Sequence, residues 1–124
     1  MKQRSLGGGD WQAHFMRMWV PLSHPIRGYE MRSMHEFQRQ IEAIYFEKDR
    51  ARGLDGTFRW FMEEVGELAR AMRTGDAAQL REEFADCLAW LNTLASISGV
   101  ELEEAVRKYA SGCPKCGKTP CGCE

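Results

Sequence analysis

Five carboxylates lie in two short motifs whose residue types suit a divalent metal ion. The first motif, Glu-Glu-x-x-Glu, contains Glu63, Glu64 and Glu67, and the second, Glu-x-x-Asp, contains Glu83 and Asp86. Carboxylate oxygens are the ligands preferred by Mg²⁺ and Mn²⁺, because both ions are hard cations. Residues three apart on a helix share a face, so each motif presents two carboxylates in one direction.

The two motifs are placed symmetrically about Gly75. Glu67 and Glu83 each lie eight residues from this glycine, and Glu64 and Asp86 each lie eleven residues from it. In an antiparallel helical hairpin that turns at Gly75, a rise of about 1.5 Å per residue places the inner pair about 12 Å from the turn and the outer pair about 16 Å from it. Carboxylates that face one another on half-buried faces repel, unless a cation compensates. The spacing therefore predicts a divalent-metal site across the helix–helix contact.

Two other interpretations of the acidic residues are less consistent with this spacing. A single Glu-x-x-Glu is usually a solvated helix surface, but two level pairs beside apolar residues favour a shared ion. A ferritin-like di-iron centre needs Glu-x-x-His on its helices. The histidines are His14, His24 and His35, and none of them lies near either motif.

Capping residues and apolar periodicity predict an all-α fold of four helices, at about 34–53, 57–74, 76–98 and 101–111. Ser33 and Glu36 fit a capping box at the first helix, Asp55 or Thr57 caps the second, and Asp76 caps the third. No segment alternates as a strand does.

Apolar residues at helical spacing predict the core faces. On the second helix the stripe ends at Met72, and on the third helix it contains Leu80, Phe84, Leu88, Leu91 and Ala95. The third helix carries further apolar residues in the sector of its acids (Trp90, Leu94 and Ile97) rather than in that of Arg81, Asn92 and Ser96. A helix that is apolar around most of its circumference is buried from several sides, so we expect a homodimer or homotetramer.

The combined motif, Glu63-Glu64-x-x-Glu67 followed after fifteen residues by Glu83-x-x-Asp86, resembles the signature of the MazG-like nucleoside triphosphate pyrophosphohydrolases. The resemblance covers residues 34 to about 110. It implies a four-helix, oligomeric, Mg²⁺-dependent enzyme. Such an enzyme cleaves a nucleotide between its α- and β-phosphates and releases a nucleoside monophosphate and pyrophosphate.

The same resemblance assigns roles by position. The implied metal ligands are Glu64, Glu67, Glu83 and Asp86. Glu63 and Glu64 are the candidate catalytic carboxylates, with Glu63 completing the metal shell or orienting the attacking water.

The resemblance assigns substrate contacts at two places. Lys108 matches a basic position near the phosphates, but Gly112 stands where the family has an asparagine. Base selection in the family draws on the first helix and on a neighbouring subunit, and the residues available for it here are Phe37, Gln38, Ile41 and Trp60. A core position is the alternative for each of these four.

Four of the five cysteines crowd into the last residues of the sequence, as Cys113, Cys116, Cys121 and Cys123. Cys-Pro-x-Cys-Gly is typical of a zinc knuckle, in which a tight turn directs two thiolates at one ion. We therefore expect a compact structural Zn²⁺ site at 112–124, with disulfides as the alternative that a reducing compartment disfavours. Cys87 is expected to be a small buried apolar residue.

The remaining composition limits the class of protein. The 124 residues include 17 Lys+Arg and 18 Asp+Glu, with a net charge of −1. This balance gives no electrostatic reason to expect nucleic acid or a membrane as a partner. We recognise no secretory signal or membrane span and expect a cytoplasmic protein.

Residues 1–33 form the least regular part of the sequence, because they contain Gly7-Gly8-Gly9, Pro21 and Pro25. We expect a poorly ordered extension, or an upstream start codon ahead of Met31 or Met34. A segment that docks on a partner subunit through Trp11, Phe15 and Trp19 is the alternative.

Residues 34–111 then form the helical domain, for which a nucleotide pyrophosphohydrolase that serves in house-cleaning of the nucleotide pool is the favoured function. The alternatives are a phosphoribosyl-ATP pyrophosphohydrolase, a dUTP- or dCTP-specific enzyme, and a non-catalytic helical module that binds a partner through its zinc knuckle.

Overall fold

The computed structural model describes residues 33–124, so the predictions made for the amino-terminal extension lie outside the described residues. The described chain is all-helical and has no strand, which confirms the predicted fold class. None of these helices is long and apolar enough to cross a membrane. The elements are α1 (Met34–Arg52), α2 (Leu54–Thr74), α3 (Ala77–Ile97), α4 (Leu102–Ala105) and a 3₁₀ turn (Val106–Tyr109).

Local side-chain chemistry fixes three of the helix ends as the sequence predicts. At the start of α1, the Glu36 backbone N–H donates to the Ser33 hydroxyl at 3.1 Å, and the Ser33 N–H donates to the Glu36 carboxylate at 3.0 Å. At the end of α2, Gly75 adopts the left-handed conformation with φ 73°. Asp76 then accepts two backbone N–H groups at the start of α3.

The predicted start of α2 is wrong by one turn. The helix begins at Leu54, and its N-cap is Gly53, whose φ of 85° allows the chain to turn between two helices. The Gly53 N–H closes α1 by donating to the Asp49 carbonyl at 3.0 Å. Thr57 is fully buried inside α2 and Asp55 lies in its first turn, so neither is the cap.

The predicted fourth helix is shorter than expected. Only Leu102–Ala105 is α-helical, and the 3₁₀ turn that follows ends at Tyr109, before the predicted limit at residue 111.

The α2–α3 hairpin forms the most extensive helix contact, and α1 packs mainly on α3. The fully buried Gln38 of α1 fixes this second contact. Its amide nitrogen donates to the Val100 carbonyl at 2.8 Å and to the Ser96 hydroxyl at 3.1 Å, and its amide oxygen accepts the Leu102 N–H at 2.9 Å. One side chain therefore joins α1 to the end of α3 and the start of α4.

The core faces differ from the predicted stripes. Met72, Phe84, Leu88 and Leu91 are 42–55% exposed within the chain. Asn92, which the periodicity places away from the apolar sector, is fully buried. The reason is that α3 contacts α2 on one side and α1 on another, which buries part of its polar surface and leaves part of its apolar circumference uncovered.

Candidate active site

Three of the predicted carboxylates converge across the α2–α3 hairpin. Glu64 comes from α2, Glu83 and Asp86 come from α3, and one oxygen of each lies within 4.8 Å of the other two. Glu83 is 7% exposed, Glu64 is half-buried and Asp86 is exposed. We call these three residues the carboxylate trio.

The trio carries more negative charge than its surroundings compensate. The pKa of Glu64 is raised by burial and then by the charge of Asp86, although a hydrogen bond from the Trp90 side chain opposes the shift. The pKa of Glu83 is raised by burial and then by the charge of Glu67, although Arg70 opposes it. Excess negative charge at partly buried oxygens favours a bound cation.

These electrostatic neighbours agree with the pairing expected from equal spacing about the turn. Asp86 is the carboxylate that most raises the pKa of Glu64, and Glu67 is the one that most raises the pKa of Glu83. Equal spacing about Gly75 also pairs Glu64 with Asp86 and Glu67 with Glu83.

A cleft of about 290 Å³ opens beside the trio, between α1, α2 and α3. Asp86 belongs to both the trio and the cleft. The rings of Trp60 and Trp90 lie at 6.2 Å between centroids and are inclined by only 10°. The other lining residues are Tyr45, Lys48, Asp49, Arg52, Ala89 and Thr93.

Two cations of α1 reach this cleft. The Arg52 guanidinium lies 5.3 Å from the centre of the Trp90 ring and pairs with the buried Asp49 carboxylate at 2.8 Å. Lys48 also lines the cleft and is exposed. The arrangement places aromatic faces and positive charge next to an anionic trio.

The sequence model of one protein family, described as the MazG nucleotide pyrophosphohydrolase domain, matches residues 52–117. The chain belongs to this family. The matched range contains all five predicted carboxylates and both tryptophans of the cleft. No curated protein matches the chain.

The other two carboxylates of the MazG motif lie outside the trio. Glu67 is half-buried and its charge raises the pKa of both Glu64 and Glu83. Glu63 is exposed on α2. Their predicted roles, as a ligand and as a catalytic carboxylate, stay predictions.

The candidate substrate residues separate into core and cleft. Gln38 and Ile41 are buried, which makes them core residues, and Phe37 is half-buried. Trp60 alone of the four lines the cleft. Lys108 lies in the 3₁₀ turn, exposed, with its amine 5.0 Å from the centre of the Tyr109 ring, and it does not line the cleft.

The sequence reasoning missed the contribution of α1 to the cleft. Tyr45, Lys48, Asp49 and Arg52 follow one another at spacings of three, one and three residues. Such spacing keeps polar side chains on one helix face. The polar face of α1, beside its stripe of core residues, is the sequence pattern from which these cleft residues could have been predicted.

The structure also brings the four carboxyl-terminal cysteines together. All four sulfurs lie within 4.8 Å of one another. All five cysteines of the sequence are free thiols in this structure, and the choice between a zinc site and disulfides stays a prediction. Cys87 is half-buried on α3, and burial followed by the charge of Glu64 raises the pKa of its thiol.

Proposed function

We propose that this chain is a Mg²⁺-dependent pyrophosphohydrolase that converts a nucleoside or deoxynucleoside triphosphate to the monophosphate and pyrophosphate. Membership of the MazG family supports the class of reaction. The observation that carries the proposal is the position of Asp86, which lies at once in the carboxylate trio and in the aromatic cleft. A nucleotide with its base in the cleft has its phosphates beside the trio.

The trio fits a magnesium ion in donor chemistry and in size. Mg²⁺ takes oxygen ligands at about 2.1 Å in an octahedron, so its ligand oxygens lie roughly 3–4 Å apart. The 4.8 Å limit on the oxygens of Glu64, Glu83 and Asp86 allows this spacing with small side-chain movements. Bound there, the ion supplies charge neutralisation for the phosphates and Lewis-acid activation of water.

The chain's own carboxylates position the attacking water. Glu67, whose charge raises the pKa of both Glu64 and Glu83, would be a fourth ligand by its position in the family motif. Glu63 is exposed on the same helix, where its oxygens remain available to accept a hydrogen bond from the incoming water. Fixed orientation of the water and the phosphate supplies a large part of the rate enhancement.

The cleft binds the nucleoside part of the substrate. The faces of Trp60 and Trp90 suit a nucleobase, because stacking contributes about 1–3 kcal/mol per base and tolerates any base. Lys48 supplies positive charge for the phosphates, whereas the Arg52 guanidinium is already paired with the buried Asp49 carboxylate. Lys108 remains a further candidate for a phosphate contact.

Product analysis tests the reaction. Purified protein is incubated with Mg²⁺ and a panel of ordinary and modified nucleotides that includes dUTP, dCTP and phosphoribosyl-ATP. We expect monophosphate and pyrophosphate, and a loss of about hundredfold or more in Glu64→Gln. Glu104→Gln, which removes an exposed carboxylate on α4, is the matched control and retains activity.

The identity of the products separates the alternatives. Release of orthophosphate contradicts cleavage between the α- and β-phosphates. Preference for modified nucleotides supports a house-cleaning role in the cytoplasm, and preference for phosphoribosyl-ATP assigns the related biosynthetic reaction. If no nucleotide is cleaved and Mg²⁺ does not bind, the chain is a non-catalytic helical module.

The uncovered apolar surface supports a homodimer or homotetramer. Large apolar side chains remain 42–55% exposed on both helices of the hairpin: Leu54, Phe58 and Met62 on α2, and Phe84, Leu88 and Leu91 on α3. Extended apolar surface of this kind marks interaction sites. Light scattering after gel filtration tests assembly: Leu88→Glu favours the monomer, and Arg81→Glu on the same helix does not. A wild-type monomer at all concentrations contradicts the proposal.

A further inference from the structure

The four carboxyl-terminal cysteines bring their sulfur atoms together in one cluster. The sulfur atoms of Cys113 and Cys123 are 3.8 Å apart, and those of Cys116 and Cys121 are 3.9 Å apart. A third pair, Cys113 and Cys121, is 3.4 Å apart. These residues lie outside the carboxylate trio and the cleft, and the proposed hydrolysis uses none of them.

These distances match one metal ion and exclude bonded sulfurs. Four sulfurs at about 2.3 Å from a tetrahedral Zn²⁺ lie about 3.8 Å from one another. Sulfurs in a disulfide lie about 2.05 Å apart. We infer that Cys113, Cys116, Cys121 and Cys123 bind one Zn²⁺ ion in a closed structural site.

Backbone hydrogen bonds form a tight turn around Cys113 and Cys116, which brings their thiols close together. The Gly117 N–H donates to the Cys113 carbonyl at 2.7 Å, and the Cys113 N–H donates to the Lys118 carbonyl at 3.1 Å. Gly112 has a φ of 115°, and a Cβ built there lies 2.9 Å from the Thr119 hydroxyl oxygen and 3.0 Å from the Gly117 carbonyl oxygen. The loop is therefore packed too closely at this point for a side chain.

Backbone donors also point at the sulfur atoms. The Cys116 sulfur accepts hydrogen bonds from the backbone of Gly122 and Lys118. The Cys123 N–H lies 3.4 Å from the Cys121 sulfur. Such donors stabilise thiolates, and thiolates are the form that binds metal.

The surrounding charge suits the anionic complex that zinc and four thiolates form. Lys115 and Lys118 lie within the loop, and the Lys118 amine lies 3.6 Å from a Cβ position built on Gly122, between two of the ligands. Because four protein ligands complete the tetrahedron, no position remains for water or substrate, and the site is structural. Soft thiolates select Zn²⁺ over Mg²⁺, so the two metal sites do not compete for one ion.

Metal analysis of the full chain tests the site. The protein is purified under reducing conditions without added zinc and then dialysed against metal-free buffer. We expect about one zinc ion per chain in the wild type and a loss of most of it in Cys116→Ser. Cys87→Ser is the matched control, because it removes a thiol outside the cluster, and it keeps the wild-type zinc content.

Cobalt substitution gives a second measurement that does not depend on the stability of a variant. Wild-type protein reloaded with Co²⁺ is expected to show the intense d–d absorption of tetrahedral cobalt together with thiolate-to-cobalt charge-transfer bands, and Zn²⁺ is expected to abolish both. The inference is overturned if wild-type protein contains no zinc, if iron takes its place, or if the four thiols are found as two disulfides. It is also overturned if Cys87→Ser loses zinc to the same extent as Cys116→Ser.

Discussion

Removing one carboxylate from the trio is expected to stabilise the metal-free protein while abolishing its activity. In Glu64→Gln the side chain keeps its size and loses its charge. Two unit charges 4.8 Å apart repel by about 1 kcal/mol at the dielectric constant of water and by about 3.5 kcal/mol at a dielectric constant of about 20. Since Asp86 is exposed, we take the lower figure for its repulsion of Glu64.

Thermal unfolding measures this gain. In a domain of this size, about 1 kcal/mol raises the melting temperature by about 4–8 °C. The scan is made in metal-free buffer and repeated with saturating Mg²⁺. Added Mg²⁺ stabilises the wild type by RT ln(1 + [L]/Kd), which is about 2.7 kcal/mol at a hundred times Kd, and so reverses the order of the two proteins.

The matched control is Glu104→Gln, which removes the same charge from an exposed surface pair with Arg107. We expect it to change stability by less than about 0.5 kcal/mol with or without Mg²⁺. The reasoning is refuted if Glu64→Gln is no more stable than the wild type without metal, or if Mg²⁺ stabilises Glu64→Gln as much as it stabilises the wild type. Either result means that the trio is not a group of mutually repelling carboxylates that binds Mg²⁺.

Three further measurements follow from the same geometry. The folded-state pKa of Glu64 is raised above its ordinary value of 4.5, so the wild type is most stable when Glu64 is protonated and loses stability as pH rises from 4.5 through the folded pKa. The metal-free stability advantage of Glu64→Gln should therefore grow with pH over that window. An advantage that is constant with pH contradicts the shift. Gly66 lies exposed inside α2 with no atom within 4 Å of an added Cβ, so Gly66→Ala should stabilise the protein by about 1 kcal/mol in denaturant titration, and a loss instead would show that the position is crowded in the assembly. Trp60→Ala should raise KM by about tenfold or more with a smaller change in kcat, whereas an unchanged KM for every nucleotide would remove the base from the cleft.

The sequence predicts the hairpin well because its determinants are local. Gly75 ends one helix through a left-handed conformation, and Asp76 caps the next through its own side chain. Once these two residues fix the turn, the fixed rise of a helix sets the heights of the acids on both sides. Glu64 and Asp86 therefore meet without any information about the rest of the fold.

The cleft could not be predicted in the same way, because its walls depend on how α1 lies against α3. That contact is fixed by the hydrogen bonds of Gln38 to residues about 60 positions away, and no local pattern encodes them. The start of α2 was misplaced for a related reason. Thr57 resembles a cap in the sequence, but the turn at Gly53 lets the helix begin at Leu54, so Thr57 lies inside the helix and is buried.

The family match includes only part of the residues that line the cleft. The matched range begins at Arg52, so the carboxylates and the two tryptophans lie inside it, whereas Tyr45, Lys48 and Asp49 lie before it. All three carboxylates of the trio come from the α2–α3 hairpin. The contribution of α1 is to the lining of the cleft, where the proposed function places the base. We therefore expect a change at the exposed Lys48 of α1 to alter the choice of nucleotide without moving the carboxylates, because the hairpin has its own turn and its own helix contact.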